Sequence, residues 1–177
     1  MSSYWQLPLA ATITALMLVL GGCQQAESPP SSSVPQDVAA ANKELVRRFY
    51  QEVFVDWNLA LVDEVVSPEF RSHDWPEGGP TGPQAFRDFY AQVRSAFPDT
   101  HYEVDDLIAG GDKVVVRWRL LGTHQGDFRG TAPTGRPIEL KGIAIYRVEG
   151  GKLMERWVVF DLHGLIEQIE GASAPGG

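Results

Sequence analysis

The stretch FRGTAPTGRPIELKGIAIYRVEGGKLMERWVVFDLHGLIEQI, residues 128–169, decides how this chain reads. Residues 138–148 and 152–161 are two runs of alternating or continuous apolar character joined by Glu149-Gly150-Gly151, the pattern of a β-hairpin. A short apolar helix is expected directly afterwards, over residues 162–169. Side chains alternate along a strand, so Trp157, Val159 and Asp161 point the same way. An acid beside a large ring suits a general acid/base in an apolar pocket, because exclusion of water raises a carboxyl pKa toward neutrality. Asp161 also stands immediately before the helix, where an Asp caps free amides well. The two uses compete for one carboxylate, and the residues alone leave both open.

Working outward, residues 100–109 and 113–124 read as two further strands around the turn Gly110-Gly111-Asp112. Ahead of them lie three helical patterns. The first begins near Asp37, a possible cap, and carries an apolar face from Val38 through Phe49 and Val53 to Trp57. The second covers residues 59–66 and stops at Ser67-Pro68. The third runs from Pro83, suited to a first turn, to Phe97, with Phe86, Phe89, Tyr90 and Val93 on one face. Residues 70–75 are short and extended, and PEGGPTGP at 76–83 is a loop. Helices followed by strands predict an α+β fold and not a doubly wound sheet. The link 125–137, with its glycines and prolines, is expected at the mouth of any pocket.

The chain has 177 residues and 44% apolar content, enough for one domain with a core. Its formal charge of −8 gives no electrostatic reason to bind DNA or RNA, and neither is expected as a partner. Cys23 is the only cysteine, so no intramolecular disulfide is possible. The apolar run 7–20 followed by Gly21-Gly22-Cys23 resembles a bacterial lipoprotein signal, although residues 1–22 lack the usual basic start. As a helix that run would span about 21 Å, short of the roughly 30 Å hydrocarbon core, which favours processing over spanning. The expected organisation is a signal peptide at 1–22, a Ser/Pro-rich tether at 23–36, the domain at 37–171 and a flexible tail at 172–177. Cys23 would then be the lipidated residue and the protein would be exported and lipid-anchored at the cell envelope.

Other chemistry-bearing residues are fewer. His73 and His124 each end a strand-like segment, where a pocket would open, and either could hydrogen-bond a substrate carbonyl or relay a proton. Local backbone partners would satisfy them equally well. Trp75 and Trp157 are expected to border the pocket more closely than Trp57. Trp118 shares a strand face with Val114, Val116 and Leu120; if that face is concave, Arg117 and Arg119 lie outside. No metal site is expected, since there is no helix-spaced His pair and no second Cys. Gly78-Gly79 and the glycines of 126–135 lack the strand–glycine–helix context of a phosphate cradle.

Several segments together resemble the SnoaL-like polyketide cyclase, or ester cyclase, family. They are Thr134-Gly135-Arg136-Pro137 before a strand, Gly142 to Arg147, Gly151-Lys152-Leu153, Glu155 with Trp157, Asp161, and Gly164-Leu165 with Gln168, together with FRSHDWPEGGPTGPQAFRDFY and LLGTHQGDFRG upstream. The resemblance covers roughly residues 40–170. It implies a cone-shaped fold of the nuclear transport factor two-like type, with three N-terminal helices packed on a curved antiparallel sheet. It also implies a pocket for a small apolar or carbonyl-containing molecule and a homodimer through the sheet's outer face, to which Val158 and Phe160 would belong. Asp161 matches the position where characterised cyclases of the family use an Asp as acid/base, closing a polyketide methyl ester by an intramolecular aldol step with no metal or organic cofactor. Export argues against that literal substrate. The fold hosts pure binding domains as well as enzymes. A cyclase or isomerase using Asp161, an envelope binding domain and a protein-interaction module are therefore all consistent with the residues.

Overall fold

A computed structural model describes residues 36–171. The expected signal with Cys23, the tether short of Gln36 and the tail 172–177 lie outside the described residues. The elements are α1 (Gln36–Phe49) running into a π-helical turn (Tyr50–Val55), α2 (Ala60–Val65), β1 (Val66–Ser72), α3 (Gly82–Ala96), β2 (His101–Gly110), β3 (Lys113–Thr123), β4 (Pro137–Glu149), β5 (Lys152–Phe160) and α4 (Leu162–Glu170). Helices pack on one face of a five-stranded sheet of order β1-β5-β4-β3-β2.

β2 to β5 pair antiparallel in sequence order, but β1 joins β5 in parallel, so the sheet is mixed and not wholly antiparallel as expected. β1 and β5 are far apart in sequence, and so need no tight hairpin between them. Pro68, which suggested a stop, is tolerated because β1 is an edge strand and the missing N–H is not needed there. The first helical pattern also differs in detail. The α-helix ends at Phe49, and the wider π turn carries Tyr50, Val53 and Phe54 into the core together. Trp57 then leaves the helix with φ of 56°, its ring covered by the Arg94 guanidinium at 4.3 Å.

Apolar residues spaced three and four apart on α1 and α3 meet the sheet in an aromatic core. Phe49, Phe54, Phe70, Phe86 and Tyr146 are buried, with ring centres such as Phe49–Phe54 at 5.2 Å and Phe86–Tyr90 at 4.5 Å. Tilted and edge-on ring pairs of this kind add about 0.5–1.5 kcal/mol each beyond their burial.

One irregularity decides which side chains face this core. In the β4–β5 hairpin Val148 pairs with Leu153 and Arg147 with Glu155, leaving Met154 without a partner in a β-bulge. Leu153 points inward, yet Arg156, Val158 and Phe160 point inward too, because the extra residue shifts the alternation by one. Trp157 and Val159 therefore face outward. The expected assignment is reversed: Val158 and Phe160 belong to the inner face, and Val159, 77% exposed, to the outer one.

Candidate functional site

Between the helices and the sheet lies a cavity of about 470 Å³. Its walls come from α3 (Phe89, Tyr90, Val93), β3 (Trp118, Leu120), β4 (Leu140, Ala144, Tyr146) and β5 (Arg156, Val158, Phe160), and α4 contributes Leu162 and Leu165. Asp127, Phe128 and Arg129 of the 125–136 link reach it as well. That link is fixed at its start, where Gln125 and Gly126 both donate backbone N–H bonds to the Ala96 carbonyl at 2.9 Å. Gly126 is required there, since a Cβ would lie 2.0 Å from the Ser95 carbonyl oxygen. Trp118 is on the cavity face, and Arg117 and Arg119 lie outside in ion pairs with Asp105 and Asp106 or Glu103. Gly142, directly opposite Trp118 in register, leaves room for the indole; a Cβ would come within 2.3 Å of it.

The polar heart of the cavity is Arg156, buried on β5 by the bulge. Its Nε donates to the Ser72 hydroxyl at 2.7 Å and its Nη1 to the Tyr90 hydroxyl at 2.6 Å. Its Nη2 donates to both carboxylate oxygens of Asp74, at 3.3 and 3.2 Å, and the Ser72 hydroxyl also bonds Asp74. The rings of Trp75, Phe89 and Tyr90 each lie 5.8 Å from the guanidinium carbon, a cation–π surround. Burial is the largest influence on Arg156 and opposes its charge, but Tyr90, Tyr146 and Asp74 outweigh it and shift the pKa upward. Burial likewise pushes the phenols of Tyr50, Tyr90 and Tyr146 above their ordinary 10.0, so these groups stay protonated; at Tyr90 the Arg156 charge works against that rise. The Tyr50 and Tyr146 hydroxyls face each other at 3.4 Å.

The residues expected to form the site are elsewhere. Asp161 is exposed and accepts the Gly164 N–H at 2.8 Å as N-cap of α4, and it is not on the cavity wall. The expectation that it faces an apolar pocket with Trp157 and Val159 is corrected: the three lie toward solvent, because the Met154 bulge turns that face outward. His73 and Trp157 are brought together, but also on the outer face. Their rings stack at 4.5 Å and 4°, and His73 Nε2 lies 2.7 Å from Glu155. The hydrogen bond to His73, and then that to Arg147, holds the Glu155 carboxyl below its usual range. His124 is fully buried and closes the base of the 125–135 loop. Its N–H donates to the Arg136 carbonyl, its own carbonyl accepts from Gly135 N–H, and Nδ1 meets the Thr134 hydroxyl at 3.0 Å. It does not line the cavity. Of the expected binding residues only Trp75 approaches it, from behind Arg156.

Arg156, Asp74 and Tyr90 were not singled out from sequence; signals existed for Arg156 and Tyr90, and nothing local marked Asp74. Leu153-Met154 followed by Glu155-Arg156 breaks strict alternation at the bulge, and Tyr90 occupies an apolar-face position one turn after Phe86. Among the described residues no three His, Cys, Asp or Glu side chains converge to hold a metal ion.

Residues 44–169 match the family model described as SnoaL-like polyketide cyclase. Solved structures of the same shape include a candidate SnoaL-like polyketide cyclase from Jannaschia sp. CCS1, 26% identical, covering 78% of this chain and 96% of that one, with a TM-score of 0.69. A candidate polyketide cyclase from Acidithiobacillus ferrooxidans is 27% identical over 77% and 99% of the two chains, with a TM-score of 0.67. AclR from Streptomyces galilaeus, a candidate hydroxylase, is 25% identical over 78% and 86%, with a TM-score of 0.66. No curated protein matches the chain. With the family model spanning most of the sequence and solved relatives agreeing in fold, the chain belongs to the SnoaL-like polyketide cyclase family.

Proposed function

We propose that this domain binds a small, flat, apolar carbonyl compound in its central cavity and moves a proton on it, in a cyclase- or isomerase-type reaction that needs no cofactor. The observation that carries this reading is the buried Arg156, hydrogen-bonded to Tyr90 and Asp74 inside a largely apolar cavity. A guanidinium held this way stabilises negative charge developing on a carbonyl oxygen, and costs no reorganisation when the charge appears. Of the two carboxylates on the cavity wall, Asp74 pairs with Arg156 and Asp127 belongs to the exposed link, so the acid/base role expected at Asp161 is reassigned to Asp74. A second reading, a binding domain without turnover, draws on the same pair: Asp74 is already committed to Arg156.

The test is native mass spectrometry of the protein purified from its own host, followed by assay of the retained compound. Asp74→Asn should keep the compound bound and lower its turnover by roughly 10²-fold or more. Undiminished turnover in folded Asp74→Asn would remove the catalytic reading, and protein that retains and binds no small molecule would remove both.

We further propose export with a lipid on Cys23, supported by the apolar run 7–20 ending in Gly21-Gly22-Cys23. Mass spectrometry of the mature protein should find an acylated Cys23, and Cys23→Ala should leave the membrane fraction. An unmodified Cys23 would end that assignment. Finally, we propose a homodimer through the outer sheet face, supported by exposed Ile108, Ile143 and Val159.

A further inference from the structure

We infer that Tyr90, held by Arg156, is the hydrogen-bond donor to the ligand oxygen on which negative charge collects, and that the cavity floor selects enolisable ligands carrying more acceptors than donors. The inference rests on the proposed carbonyl-binding cavity and follows from counting donors against acceptors.

A guanidinium has five N–H groups. Arg156 commits Nε to Ser72, one Nη1 hydrogen to Tyr90 and Nη2 to Asp74, and the Tyr146 hydroxyl stands close enough to be a further partner. The Tyr90 oxygen accepts from Arg156, so its own hydrogen is left to donate, and no acceptor for it occurs among the described residues. Of the paired Tyr50 and Tyr146 hydroxyls one donates to the other, and one hydrogen remains. Trp118, 6% exposed and on the cavity wall, has an indole N–H with no partner.

On the acceptor side the cavity floor keeps one open position, the second lone pair of Asp74 Oδ2, while Asp127 belongs to the exposed 125–136 link. Asp74 Oδ1 takes Ser72 and Arg156, and Oδ2 takes Arg156. A buried donor without an acceptor costs about 1–3 kcal/mol, which an acceptor-rich ligand would relieve and an amine would not. Burial keeps the Tyr90 phenol protonated, as a donor must be. Tyr90 is the best placed of these donors, because accepting a hydrogen bond from a cation polarises its O–H and strengthens the bond it gives.

The step balances as a proton transfer. A C–H bond beside the carbonyl breaks, and its electron pair spreads onto the oxygen. Asp74 takes the proton and passes it to buffer, while Tyr90 and Arg156 face the resulting anion. The positive guanidinium then pairs with the enolate, and Asp74 is neutral until it releases the proton.

The full-length protein is titrated with benzoylacetone, an enolisable β-diketone whose enolate absorbs at longer wavelength, and with butyrophenone, a monoketone of similar shape. The diketone should bind at least about tenfold more tightly, as one added charge-assisted hydrogen bond requires, and should ionise at lower pH when bound than when free. Tyr90→Phe keeps the ring and its packing. It should abolish most of that preference and of the ionisation shift, and weaken butyrophenone, whose neutral carbonyl accepts the weaker bond, by less than it weakens the diketone. Equal binding of the two ketones by wild type, or a full ionisation shift in folded Tyr90→Phe, would overturn the Tyr90 assignment and leave the cavity reading intact. Binding of neither ketone would overturn both. If Tyr90→Phe does not fold, the two-ketone comparison and the enolate absorbance in wild type still decide.

Discussion

Single atoms decide several features of this domain. Gly142 is fixed by the Trp118 ring across the hairpin. Gly142→Val should lower stability by about 1–3 kcal/mol, measured by thermal or denaturant unfolding, because the indole that forms the cavity wall has nowhere to move. At Asp161 the observed contact is a helix cap. Asp161→Asn should leave stability nearly unchanged, and Asp161→Ala should cost about 1 kcal/mol. Loss of ligand turnover in a well-folded Asp161→Asn protein would return the chemistry to that residue. Burial raises the phenol pKa values of Tyr50, Tyr90 and Tyr146 above 10.0. The unfolded chain therefore ionises first as pH rises. The stability these groups contribute is complete below pH 10 and declines above it. In an alkaline titration followed by phenolate absorbance, these three should ionise only as the protein unfolds. Reversible ionisation near pH 10 with the fold intact would show the cavity to be open to water.

At the scale of the element, the β4–β5 hairpin is the part that matters most. Met154 is the extra residue that lets Leu153 and Arg156 both point inward. Deleting Met154 should restore regular alternation without moving either residue to the other face, so the domain should still fold and still bind its ligand. Deleting Val159, which is far more exposed, should do more harm. It turns Phe160 out of the cavity, and exposing this partly buried ring costs up to roughly 3 kcal/mol. Unfolding curves for the two deletions test this, and the reverse order would mean that the bulge does not set the phase. α4 is tied to β4 by the Gln168 amide, which accepts from Glu139 N–H at 2.8 Å and donates to its carbonyl at 3.0 Å. That clamp holds Leu162 and Leu165 over the cavity.

At the scale of the whole molecule, the two faces of the sheet have different tasks. The inner face makes the cavity, and the outer face carries an in-register row from Ile108 through Val115 and Ile145 to Trp157, beside Ile143 and Val159. A chain beginning at Asp37 is expected to sediment as a dimer at tens of micromolar. Val159→Arg together with Ile143→Lys should convert it to a monomer, because burying two unpaired charges at the contact is strongly unfavourable. A wild-type monomer at that concentration would count against the homodimer. Among the described residues no helix is long and apolar enough to cross a membrane.

The amino-acid sequence by itself determined the α+β order, the helix faces, the turns at Gly110-Gly111 and Gly150-Gly151, and that Arg117 and Arg119 point opposite to Trp118. These depend on local periodicity and turn chemistry, which are written along the chain. Only the tertiary structure decided the parallel pairing of β1, the face of β5 and therefore the site. Ser72 and Asp74 meet Arg156 from more than eighty residues away. Trp157 and Val159 do share a face, as alternation requires. Whether that face looks toward the core depends on one unpaired residue in a hairpin, and a strand whose two faces are both rich in apolar side chains carries no local mark of which one is buried.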